Sequence, residues 1–101
     1  MTKVSSYQLD PRDERKLIKD FWEGLESLNP DERFCFLQTL LTPTEIKMFA
    51  KRLGALKLLY QKRSYEEISE KLHLTPTTIN KLSNILHLAD DFLERIIAKL
   101  I

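Results

Sequence analysis

The chain has 101 residues, of which 43% are apolar and 31% charged, and its net charge is +1. That is the size of one compact domain, too apolar for a disordered segment, and it lacks the roughly 18-residue apolar run of a membrane span. Two glycines leave little turn chemistry for hairpins, so an all-α chain is expected. A single cysteine, Cys35, excludes an internal disulfide and fits a reducing, cytoplasmic setting. The opening "MTKVSSYQLD" is polar and has no apolar signal segment, so residues 1–9 read as a short arm on a single helical domain spanning 1–101.

Six helices are expected in chain order. Apolar residues recur at helical spacing over 11–28 (Leu17, Ile18, Phe21, Trp22, Leu25, Leu28), 30–41 (Phe34, Leu37, Leu40, Leu41) and 43–61 (Ile46, Phe49, Leu53, Leu56, Tyr60). Shorter helices are predicted over 65–72, 76–87 and 89–101. Each proline comes directly after a capping residue: Asp10-Pro11, Asn29-Pro30, Thr42-Pro43 and Thr75-Pro76. Proline suits the first helical position, where its missing N–H has no intrahelical partner, and the residue before it accepts from the free N–H groups of the first turn. Thr42 with Glu45, and Ser64 with Glu67, read as capping boxes.

Charge is unevenly spread. Residues 1–46 sum to −3, residues 47–81 to +5 and residues 82–101 to −1. A basic middle between acidic flanks points to a partner that carries phosphates.

Within that middle, a helix over 65–72, a turn at 73–75 and a helix over 76–87 have the layout of a helix-turn-helix at about 64–87. Ile68, Leu72, Leu74, Ile79 and Leu82 fall where such a motif buries its shared core, and Ser69 supplies the small residue beside Ile68. The turn ordinarily opens with glycine because φ > 0 is needed there. His73 stands instead, a residue that tolerates the region better than most. Thr75, Thr77, Thr78, Asn80 and Lys81 are then outward on the second helix. With Lys71 they are the candidate contacts to double-stranded DNA: hydroxyls and N–H groups for phosphate, Asn80 for adenine, Lys81 for guanine or phosphate.

The stretch "LLTPTEIKMFAKRL…SYEEISEKLHLTPTTINKLSNIL", residues 40–86, resembles the Trp repressor family. The "LTP.E" start, Arg52-Leu53, and Thr78, Ile79, Ser83, Asn84 and Leu86 agree in order. The resemblance implies a six-helix, intertwined homodimer and a DNA-binding transcriptional regulator, a repressor, in a prokaryotic cytoplasm. In that family two arginines sandwich the indole of tryptophan. The first matches Arg52. The second matches Lys81, which lacks the planar guanidinium for stacking. The neighbouring glycine matches Leu82, whose side chain fills the ligand's space. The threonine at the helix start matches Thr42, and capping accounts for it. A tryptophan-independent member with no cofactor is therefore expected.

Other constellations carry less. His73, His87 and Cys35 lack metal-ligand spacing, and Asp90-Asp91 suits the dipole at a helix start better than catalysis. No glycine-rich phosphate loop or nucleophile elbow occurs, so no enzyme class is supported. Phe21, Trp22, Leu25, Phe34, Phe36 and Leu37, with Ile96, Ile97, Leu100 and Ile101 near the end, leave wide apolar stripes for a second copy. Two readings stay beside the regulator: a helical dimerisation and protein-interaction module, and a regulator with a different small-molecule effector held at Arg52.

Overall fold

In a computed structural model, residues 8–101 are described, so the polar arm expected at 1–9 lies outside them apart from Gln8 and Leu9. The described residues form six helices and no strand: α1 (Pro11–Ser27), α2 (Pro30–Leu40), α3 (Pro43–Tyr60), α4 (Tyr65–Leu72), α5 (Pro76–His87) and α6 (Asp91–Lys99). The all-α class and the helix count match the apolar spacing. The chain divides into two compact units, the first ending at Ile46 and the second running Lys47–Ile101.

Local capping sets where the helices of the first unit begin. Asp10 accepts from the Arg12 N–H at 2.8 Å to open α1. Asn29 and Glu32 form a reciprocal box, 2.8 Å from the Glu32 N–H and 3.0 Å from the Asn29 N–H. Thr42 and Glu45 form the second, at 3.1 and 2.9 Å, as their spacing predicts. These caps also end the preceding helices. A capping residue is extended, and so is the residue before it: Leu28 (ψ 150) and Leu41 (ψ 141) leave the helices that apolar spacing alone carried through them. Arg33 reaches back and donates from Nε to the Leu25 carbonyl at 2.7 Å, satisfying one of the last acceptors of α1. Phe21 stacks on Phe36 at 6.3 Å and meets Trp22 edge-on at 5.4 Å. Yet no residue of α1 or α2 is buried.

The second unit has a core. Ala55, Leu59, Ile68, Ile79 and Leu82 form a buried cluster, flanked by half-buried Leu56, Leu58, Leu72, Leu74 and Leu86. Burial of each large side chain stabilises by roughly 1.5–3 kcal/mol. α3 passes α4 at Gly54, where a Cβ would meet the Leu72 side chain at about van der Waals contact, 3.4 Å. α3 ends in a Schellman motif: the Arg63 N–H donates to the Leu58 carbonyl and the Lys62 N–H to the Leu59 carbonyl, both at 3.0 Å, with Lys62 at φ 64. Ser64 caps α4 by accepting from the Glu67 N–H at 3.2 Å. The expected return bond to the Ser64 N–H is absent among the described residues: Glu67 Oε1 pairs with Arg63 at 3.5 Å, and its Oε2 is buried without a partner. α6 is shorter than the predicted 89–101, because Asp90 is its cap and accepts from the Leu93 N–H at 2.9 Å.

His73 ends α4 at φ 53, ψ 50, the left-handed conformation the turn requires. Isoleucine at this position is expected to lower stability by about 1–2 kcal/mol, since a β-branched side chain is strained at positive φ. Glycine, free of that strain but more costly to order, should stay within about 1 kcal/mol of the wild type. Urea melts monitored by circular dichroism check the pair.

Candidate nucleic-acid interface

α4, the turn and α5 bring the sequence-predicted residues onto one motif. Ile79 and Leu82 face inward, at 0% and 6% exposure, and this orients α5. With those two inside, Thr77, Asn80 and Lys81 stand exposed on the other side of the helix. Lys71 is exposed at the end of α4.

The threonines at the tip divide their work. Thr75 caps α5: its hydroxyl oxygen accepts from the Thr78 N–H at 3.3 Å, and its O–H donates to the Thr78 Oγ1 at 3.1 Å. Thr78 is half-buried, whereas Thr75 and Thr77 are exposed. Pro76 has no N–H and Thr78's is capped, so the Thr77 N–H is the first-turn donor left for an outside acceptor such as a phosphate oxygen.

The second unit is net basic. All eight Lys/Arg of the basic middle lie in the second unit. Among the described residues only Arg63 of these eight is in an ion pair. Arg52 is exposed on α3, with its guanidinium 6.0 Å from the Phe49 ring centre. An open cleft of about 560 Å³ in this unit is lined by Tyr60, Lys62, Ser83, Leu86, His87 and Glu94. Neither Arg52 nor Lys81 lines it.

One contact escaped the sequence. Ser69 donates from its hydroxyl to the Leu74 carbonyl at 2.8 Å, across the turn. Its small size was legible at that position, but its bond was not, because the partner is a backbone group.

The family whose model is described as Trp repressor protein matches residues 16–101. No curated protein and no solved structure matches the chain.

Proposed function

The chain belongs to the Trp repressor family, a family of DNA-binding helix-turn-helix regulators of transcription, and on that premise we propose that it is a sequence-specific repressor that lays α5 in the major groove without tryptophan as corepressor. The observation that carries this reading is the division of α5. Ile79 and Leu82 anchor one face in the core, and Thr77, Asn80 and Lys81 stand free on the other. Lys71 and Thr77 hold the backbone of the duplex, Thr75 and Thr78 form the cap between them, and Asn80 and Lys81 read base edges. Arg52 serves as a phosphate contact rather than one side of an indole sandwich.

The protein acts as a homodimer. Trp22 on α1 and Phe34 on α2 are 62% and 65% exposed, and Phe92 and Ile96 on α6 are exposed as well. A second copy covers such stripes, and two-fold symmetry sets the two α5 helices about 34 Å apart, one turn of duplex. No helix among the described residues is long and apolar enough to cross a membrane.

Selection of bound sites from random duplex DNA tests the reading, and two half-sites about one turn apart are expected. Affinity for the selected site should fall roughly a thousandfold between 50 and 200 mM salt, as for about six phosphate contacts per dimer. Lys81→Ala should cost about 1–3 kcal/mol and relax preference at one position of each half-site. Folded protein that ignores duplex DNA at low salt, or Lys81→Ala binding like the wild type, removes the assignment.

A further inference from the structure

We propose that Ser69 is a positioning residue for DNA binding: its hydroxyl, bonded across the turn, holds α5 at the angle the duplex requires without touching the duplex. The proposal rests on the regulator reading above.

The geometry is specific. Ser69 is half-buried near the middle of α4, and its Oγ lies 2.8 Å from the Leu74 carbonyl oxygen. Among the described residues this is the side-chain hydrogen bond that spans the turn; the Thr75–Thr78 bonds lie within the cap of α5. A helix-turn-helix calls for a small residue at this position. Alanine would meet that demand and favours a helix more than serine. The hydroxyl therefore has a use beyond its size.

That use lies in the peptide it grips. Leu74 packs its side chain on the core cluster and immediately precedes Thr75, the cap of α5. A trans peptide is planar, so fixing the Leu74 carbonyl fixes the Thr75 N–H on the opposite side, directed away from Ser69. The same plane fixes the N–Cα axis of Thr75, about which the chain turns into α5. His73, one residue earlier, sits in the left-handed region at φ 53, which an L side chain adopts at some cost. A residue in that region keeps its conformation where its surroundings hold it. The Ser69 bond supplies that hold from the α4 side, while Leu74 against the core holds the other end.

A positioning residue and a contact residue leave different traces. Losing a phosphate contact lowers the slope of log affinity against log salt by about one unit. Losing alignment lowers affinity by the fraction of molecules no longer competent and leaves that slope alone. One neutral hydrogen bond of ordinary strength can lower the aligned population by about three- to fivefold, and by about tenfold at most.

The test measures binding of wild type, Ser69→Ala and Ser69→Thr to a selected duplex at several salt concentrations, well below each protein's melting temperature. Ser69→Ala should bind about three- to fivefold more weakly with unchanged slope and unchanged helix content. Ser69→Thr, which keeps the hydroxyl, should recover to within about twofold of wild type. Ser69→Ala binding like wild type overturns the proposal, as does a reduced slope, which would make Ser69 a direct contact. Loss in both variants alike overturns it too, since that would assign the site to size alone. Wild-type protein that binds no duplex removes the regulator reading itself and this inference with it, an outcome distinct from the others.

Discussion

Trp22→Asp is expected to run as an 11.9 kDa monomer, breaking the proposed homodimer, and to lose its cooperative melt at micromolar concentration. The expectation starts from a mismatch inside the first unit. α1 and α2 carry large apolar side chains at helical spacing, yet neither helix buries a single residue. Phe21 finds Phe36 within the unit, but Trp22 meets Phe21 only along its edge and stays 62% exposed. Two short helices alone are marginal in water, because helical stability comes mostly from packing an apolar face. If a second copy covers Trp22, truncating it forfeits roughly 3–5 kcal/mol at each of two symmetric positions. Aspartate adds the cost of placing a charge in an apolar interface. Sedimentation at low micromolar concentration reads the mass, and the wild-type melting temperature should rise with protein concentration. Lys19→Ala, which breaks a surface pair with Glu23 at 3.8 Å on the same helix, serves as control and should change stability by less than about 1 kcal/mol. A folded wild-type monomer whose melt ignores concentration would remove the dimer.

Helix starts proved more legible than helix ends, for a physical reason. A start is a local event. Asp10, Asn29, Thr42, Ser64, Thr75 and Asp90 each accept from an N–H two or three residues on, and residue type announces that chemistry. An end depends on the next segment of the chain. Leu28 and Leu41 continue the apolar rhythm of their helices and are nevertheless extended, because the next cap needs them so. Lys62 is harder still: nothing in a lysine signals φ 64, which the two carbonyls of the Schellman motif impose. The core of the motif was readable because Ile68, Ile79 and Leu82 keep strict spacing. The outward set on α5 is its complement. Spacing could not divide Thr75 from Thr78, whose hydroxyls bond to each other at the cap. Nor could it separate Ile96 from Ile97. Both fall on the stripe expected to meet a partner, but Ile97 is 2% exposed in the single chain while Ile96 stays open.

Leu82→Ala is expected to destabilise the protein by about 2–5 kcal/mol and to weaken DNA binding, without creating a tryptophan site. Leu82 is 6% exposed and packs in the cluster with Ala55, Leu59, Ile68 and Ile79. Truncation forfeits the transfer of its outer carbons and leaves a void that buried Ala55 and the stiff, β-branched Ile68 and Ile79 are poorly shaped to fill. Because Leu82 holds the inner face of α5 and Lys81 stands next to it on the outer face, loosening one disturbs the other. Affinity for a selected duplex should therefore fall together with the melting temperature. The same side chain bears on the proposed independence from tryptophan. The resemblance places Leu82 where the tryptophan-binding members have glycine, and Lys81 where they have an arginine. An ammonium cannot stack on an indole face as a planar guanidinium does. Emptying position 82 restores space without restoring the stack, and the added void exposes apolar core rather than polar groups for an amino acid's charged ends. Titration calorimetry with millimolar L-tryptophan should give no saturable heat for the wild type or for Leu82→Ala. A micromolar isotherm with the wild type would overturn the tryptophan-independent reading, and a Leu82→Ala protein as stable as its parent would show that this leucine does not anchor α5.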